Sequence, residues 1–159
     1  MEHRISLIIP TYQEAASIGP LVKRLKTYGS GELQEVIVVD CGSTDGTLDL
    51  AEAEGAIVFC SKAGRGRQLN LGASKSSGDI LYFLHADAFP PPTFARDICS
   101  AISQGYDFGN FRQKILSENK WVVFNSYMSR FNGLIASGGD QSLFIRRSYL
   151  KSWAATAII

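Results

Sequence analysis

Unbroken apolar runs alternate with helical spacings along the first half of this chain. Ile5 to Ile9 carries no charge, the pattern of a strand covered on both faces. The polar stretch TYQEAAS follows as a loop. Ile18, Leu21, Val22 and Leu25 then recur at helical spacing, with Ser17 the expected N-cap and Pro20 expected in the first turn. EVIVVD, Glu35 to Asp40, predicts a second buried strand, CGSTDGT its turn, and Leu48, Leu50 and Ala51 a short helix begun near Asp45 or Thr47. AIVFC, Ala56 to Cys60, predicts a third strand. A glycine-rich basic loop, SKAGRGR, leads to a helix from Arg67 to Lys75 and a fourth strand from Ile80 to Leu84.

The second half is less regular. A helix is expected from Thr93 to Gln104, then a strand in YDFGNFRQ with aromatic alternation. Trp121, Phe124, Tyr127, Met128 and Phe131 fall roughly on one face of a helix packed on the sheet. A hydrophobic acceptor groove or membrane-facing surface is the alternative for that face. A short strand, Leu143 to Ile145, and the start of a helix close the pattern.

Strand and helix alternating four times predict right-handed crossovers and a mainly parallel α/β sheet with flanking helices. In such sheets ligands bind beyond the carboxyl ends of the strands. The first, second and fourth strands end in polar residues: Thr11 and Glu14, Asp40, then His85 and Asp87. Topology alone brings those positions together.

Composition narrows the class. At 159 residues, 45% hydrophobic and 19% charged, the chain reads as one soluble globular domain. Sixteen basic against 15 acidic residues leave a net charge of +1, which lends no support to nucleic-acid binding. Cys41, Cys60 and Cys99 are distant from one another and form no CxxC pair, so neither a disulfide framework nor a zinc site is indicated. The first apolar run is too short for a signal peptide, and no stretch approaches the ~20 apolar residues of a membrane helix. A cytoplasmic protein is expected, at most peripheral to the inner face of the membrane.

Three stretches carry candidate chemistry. In ILYFLHADAFPPP the prolines forbid the strand to continue past His85 and Asp87. Asp87 is either a turn or cap residue or a metal ligand, a hard cation needing few protein oxygens when phosphates supply the rest. His85 could ligate that ion, hydrogen-bond a substrate or cap the strand. In VIVVDCGSTDGT, Asp40 suits a tight turn, or accepts from a base N–H or ribose hydroxyl. The acidic tips Asp40 and Asp87 are expected to gather around one cation that a pyrophosphate completes. In KAGRGRQLNLGA, Lys62, Arg65 and Arg67 stand before a helix N-terminus, a solvated loop or a diphosphate cradle. PTYQEA contains no glycine, which argues against a dinucleotide fingerprint and against a nucleotidyltransferase loop.

Together ISLIIPTYQEAASI, VIVVDCGSTDGT, GRGRQLNLGA, ILYFLHADAFPPP and SGGDQSLFIRRSYL resemble family 2 glycosyltransferases of the GT-A fold. The small bacterial branch whose metal motif reads HAD is the nearest in kind. The resemblance covers Ile5 to about Leu150. It implies one glycosyltransferase-like domain over residues 1–159, with a nucleotide-binding half (1–90) and an acceptor-side half (91–159). It implies inverting transfer of a sugar from a UDP- or GDP-sugar to an acceptor hydroxyl, dependent on Mg²⁺ or Mn²⁺. By motif, Pro10, Thr11, Glu14 and Asp40 hold the nucleoside and Gly42 lets the base approach. Arg67 and Gln68 lie near the donor, Asp87 binds the metal and His85 replaces the motif's first aspartate. Gly139, Asp140 and Gln141 match the acceptor-side loop, with Asp140 the candidate catalytic carboxylate.

One departure bears on activity. Relatives carry a Glu-Asp pair after the GGDQ loop, whereas SYLKSWAATAII has no carboxylate. The family's closing helices are also missing. A shortened or frame-shifted product is expected, with uncovered apolar surface favouring a homodimer or instability. A non-catalytic nucleotide-diphosphate-binding remnant is the alternative function.

Overall fold

The structure, a computed structural model, describes residues 3–29, 31–111 and 142–156. In chain order the elements are β1 (Ile5–Thr11), α1 (Ala15–Tyr28), β2 (Leu33–Asp40), α2 (Thr47–Ala53) and β3 (Ile57–Cys60). They continue with α3 (Arg65–Lys75), β4 (Ile80–Phe83), α4 (Phe94–Ser103), β5 (Phe108–Asn110), β6 (Leu143–Arg146) and α5 (Arg147–Thr156). Among the described residues the strands form one sheet ordered β3-β2-β1-β4-β6-β5. β1 to β4 run parallel, while β6 is antiparallel to β4 and β5 antiparallel to β6.

The runs that lack alternation are buried on both faces, as parallel strands covered by helices must be. Ile5, Leu7 and Ile9 of β1 pack with Ile18, Leu21, Val22 and Leu25 of α1 and with Phe94 and Ile98 of α4. Ile8, Ile37, Val39 and Leu81 face the other way, onto Leu69 and Leu71 of α3 and Tyr149 and Leu150 of α5. Each of these buried side chains contributes about 1.5–3 kcal/mol by leaving water. Gly72 lets α3 lie close on the sheet, since a Cβ there would collide with Ile8 and crowd Val39. Arg147 fastens the other end of α3, donating from its guanidinium to the carbonyls of Gly78 and Ala73 at 2.6 and 3.2 Å.

The strand order reverses between β1 and β4, so a crevice is due at their carboxyl ends. The β1–β4 register ends at Ile8 and Phe83, with one more bond from Leu84 N to Ile8 O at 3.0 Å. The β1–β2 register continues to Thr11 and Asp40. Pro10 thus stands where β1 has left β4, and its missing N–H costs that pairing nothing.

Three local expectations are corrected. The N-cap of α1 is Glu14, not Ser17, because residues of the β2–α2 loop satisfy the first amides. Pro20 consequently lies inside the helix, on its exposed side, rather than in the first turn. α3 starts at Arg65, two residues early, so both arginines of GRGR belong to its first turn. The aromatic face from Trp121 to Phe131 and the positions Gly139, Asp140 and Gln141 lie outside the described residues. Among the described residues, no helix is long and apolar enough to cross a membrane.

Candidate functional site

Asp40 closes β2 and is wholly buried. Its Oδ2 accepts from the amides of Gly42 (2.8 Å) and Ser43 (2.7 Å). Its Oδ1 accepts from the hydroxyls of Thr11 (3.0 Å) and Ser43 (2.5 Å). Burial works to raise its pKa, but the Ser43, Gly42 and Thr11 hydrogen bonds outweigh it and hold the carboxyl below its ordinary value. Four donors use up the acceptor capacity of one carboxylate. The expectation that Asp40 and Asp87 share a cation is therefore corrected: Asp40 has no exposed oxygen to give. Its turn needs a glycine at Gly42, whose φ of +100° lies in the left-handed region.

Gln68, on the first turns of α3, is buried as well. Its Nε2 donates to the carbonyls of Thr11 (2.9 Å) and Val39 (2.8 Å), stitching the ends of β1 and β2 from one face. Gln68 was expected near the donor; its side-chain amide is spent on the ends of β1 and β2.

The loops after β1 and β2 are laced to each other. Gln13 N donates to Ser43 Oγ at 2.7 Å, and its side-chain amide exchanges two bonds with Thr44, at 3.2 and 3.3 Å. Glu14 N donates to Thr47 Oγ1 at 2.8 Å, and Ala15 N to Asp45 Oδ2 at 3.0 Å. Gln13 holds φ at +56°, the one non-glycine residue with positive φ among those described. Such strain persists only where the surroundings impose it. Tyr12, just before it, is 59% exposed and presents an open ring beside the strand tips. Glu14 is half-buried, one carboxylate oxygen accepting from Ser17 Oγ at 2.7 Å.

The β4 side is built otherwise. A turn from His85 O to Ala88 N, 3.2 Å, follows the strand. Asp87 is exposed, and its carboxylate makes no hydrogen bond or ion pair among the described residues. His85 meets Arg65 through Nε2 and the guanidinium Nη2. The prolines carry the chain to α4, where Phe94 N bonds Pro91 O at 3.0 Å. Phe89 lies under the Arg24 guanidinium, 5.0 Å from its ring centre. Lys62, Arg65 and Arg67 are all exposed, Arg67 reaching Ala63 O at 3.3 Å. α3 has Gly64 as its N-cap, with no side-chain cap and no acid in its first turn. Its free amides and about half a unit of positive charge from the helix dipole face the same opening.

Geometry therefore sorts the sequence-derived residues into two groups. Pro10, Thr11, Glu14, Asp40, Gly42 and Gln68 assemble at the ends of β1 and β2. His85 and Asp87 stand after β4, joined to the start of α3 by Arg65. Tyr12, Gln13 and Asp45 are the positions that the motifs did not single out as site residues, whereas Arg65 was already a candidate for the diphosphate cradle. For Tyr12 the available signal was an aromatic residue in a polar loop past a strand end; for Asp45, a second acid in CGSTDGT.

A divalent cation is tested against this donor set. Among the described residues no three His, Cys, Asp or Glu side chains converge. Asp87 offers one free carboxylate, and His85 already engages a guanidinium by Nε2. That set fits a cation delivered with phosphate oxygens, and fits poorly one held by protein alone.

The glycosyl transferase family 2 sequence profile matches residues 6–149. An undecaprenyl-phosphate 4-deoxy-4-formamido-L-arabinose transferase of Klebsiella pneumoniae (strain 342) is 31% identical over 158 residues, 90% of this chain and 48% of that protein. A glucosyl-3-phosphoglycerate synthase of Mycolicibacterium smegmatis is 32% identical over 96 residues, 55% of this chain and 32% of that protein. The chain spans about half the length of the first of these relatives. The crystal structure of glucosyl-3-phosphoglycerate synthase from Mycobacterium tuberculosis with Mn²⁺, UDP-glucose and phosphoglyceric acid superposes with a TM-score of 0.69. That match covers 92% of this chain and 57% of the synthase at 23% identity, a likeness of fold. With the profile spanning nearly every element described above, and with the GT-A type of sheet, the chain belongs to glycosyl transferase family 2.

Proposed function

We propose that this chain binds a nucleotide-sugar, a UDP- or GDP-sugar, in the crevice between β1 and β4 and serves its inverting transfer to an acceptor hydroxyl. The supporting observation is the meeting of unlike charges at one opening. Asp87 carries a free carboxylate, while Arg65, in contact with His85, carries a guanidinium beside the uncapped start of α3. A diphosphate with a divalent cation satisfies both, the arginine and helix amides taking anionic oxygens and the carboxylate taking the metal.

In this reading Tyr12 offers its ring to the base, and Pro10, Thr11, Glu14 and Gly42 frame the nucleoside. Asp40 and Gln68 keep that frame in place from beneath. Lys62, Arg65 and Arg67 meet the diphosphate. Asp87 would hold Mg²⁺ or Mn²⁺, which when bound neutralises charge on the departing diphosphate. The acceptor oxygen attacks the anomeric carbon from the opposite face, and the bond to the diphosphate oxygen breaks with its electron pair. The hydroxyl proton needs a base, worth about 10²- to 10⁴-fold. Asp140, between Gly139 and Gln141, is this chain's candidate for that carboxylate.

Calorimetry with UDP and GDP, with and without Mn²⁺, tests the reading. Binding that strengthens with metal is the expected result. No metal-dependent binding of any nucleoside diphosphate would overturn it. Binding without turnover of any nucleotide-sugar, hydrolysis included, would leave the chain as a donor-binding remnant.

A further inference from the structure

Asp45 does more than start α2. Its Oδ1 accepts from Thr47 N at 3.1 Å and from Thr47 Oγ1 at 2.5 Å, an Asx turn that leads into α2 through Gly46. Its Oδ2 accepts from Ala15 N at 3.0 Å, across 30 residues of sequence. The Thr47 hydroxyl, which donates to Asp45, in turn accepts from Glu14 N at 2.8 Å. α1 has no side-chain cap of its own. Two amides at its start are therefore satisfied by side chains at the start of α2 and just before it. One exposed carboxylate thus serves the N-termini of two helices and fixes where the chain between β1 and α1 must lie.

That chain is Tyr12–Gln13–Glu14, and its middle residue is held at φ +56°. Released from the neighbouring loop, Gln13 would return to the ordinary negative region, and Tyr12 before it would swing with the peptide.

We infer that Asp45 is a positioning residue for the nucleoside half of the donor: it locks the first loop onto the second before any ligand arrives. The inference rests on the donor reading proposed above. A wall that is already formed spares the ligand the ordering of one or two backbone residues, whose entropy corresponds to about tenfold or more in affinity. The diphosphate half, built on Arg65 and Asp87, shares none of these hydrogen bonds.

The test uses the full chain, with UMP and UDP as probes and Mn²⁺ present or absent. Asp45→Asn keeps Oδ1 as the acceptor for Thr47 but presents an NH₂ group to Ala15 N, which breaks the Asp45–Ala15 bond and leaves the Gln13–Ser43, Gln13–Thr44 and Glu14–Thr47 bonds in place. Asp45→Ala removes both oxygens. In each variant UMP affinity is expected to fall about tenfold. The ratio of UDP affinities with and without Mn²⁺ should stay within about twofold of the parent's. Circular dichroism of Asp45→Asn confirms folding, and that variant decides the matter if Asp45→Ala unfolds. Unchanged UMP affinity in folded Asp45→Asn would overturn the inference, and so would an equal loss of the metal ratio, which marks general loosening. A parent that binds neither nucleotide overturns the donor reading itself, and this inference with it.

Discussion

The two sides of the crevice are made on opposite plans. On the β1–β2 side, carboxylate, hydroxyl and amide groups find partners inside the protein, and Asp40 is sealed beneath them. On the β4–α3 side, Asp87 has no partner among the described residues, and three cations stand in solvent. Satisfied polar networks rigidify and specify shape, whereas exposed charges keep their interaction energy for a ligand. One side is thus suited to recognising a rigid flat group, the other to clamping a charged one. Mutations should separate the two, stability answering to the first and ligand affinity to the second.

The largest effect is expected from Asp40→Ala. It strips partners from the Gly42 and Ser43 amides and from the Thr11 and Ser43 hydroxyls in a buried setting. Losing hydrogen bonds to a buried charge costs about 2–4 kcal/mol, roughly 5–15 °C in melting temperature for a chain of this size. UMP affinity should weaken as well, with or without metal. A melting temperature within about 1 °C of the parent's would show that the sealed side is not the stabilising one.

Asp87→Ala should do the reverse. Nothing in the fold leans on this carboxylate, so stability stays within about 0.5 kcal/mol. The Mn²⁺-dependent gain in UDP affinity should vanish, a loss on the order of a hundredfold. Retention of that gain would remove the metal from this side of the crevice.

Arg65→Ala is the subtler probe of the same side. A guanidinium on a phosphate oxygen is worth about tenfold in affinity. UDP binding should therefore weaken by that much while uridine binding does not change. Equal losses for uridine and UDP would place Arg65 with the nucleoside wall instead.

The division explains what could be read from residues alone. Convergence of Thr11, Asp40, His85 and Asp87 was legible because apolar runs locate strand ends, and parallel strands bring those ends to one edge. The employment of Asp40 was not. Whether a strand-end carboxylate faces a ligand or its own turn depends on Ser43 and Thr11 approaching it, and no spacing rule encodes that approach. Ser17 looked like the cap of α1 because local rules compare neighbours in sequence. The true partners, Asp45 and Thr47, are more than 30 positions from Glu14 in sequence and adjacent only because β1 and β2 pair. Arg65 was placed in a loop because Gly66 disfavours a helix interior by about 1 kcal/mol. Packing of α3 on Ile8 and Val39 through Gly72 overrides that preference and delivers the guanidinium to His85.

The smallest effect is a matter of pH and tests whether the laced side is held by ionised carboxylates. The Thr47 hydroxyl is the largest influence on Asp45 and lowers its pKa; desolvation, the next largest, opposes it, and the Ala15 and Thr47 amides add to the lowering. A carboxyl whose folded pKa is depressed adds stability above its unfolded value of about 3.9, and that stability is lost as pH falls through the lower folded value. Asparagine at this position imitates the protonated form at every pH. The gap in melting temperature between parent and Asp45→Asn should therefore be constant from pH 8 to about pH 5 and close below about pH 4. A gap that persists unchanged at pH 3 would mean that the charge of Asp45 contributes nothing, and that its part in holding the two loops together comes from the shape of the side chain.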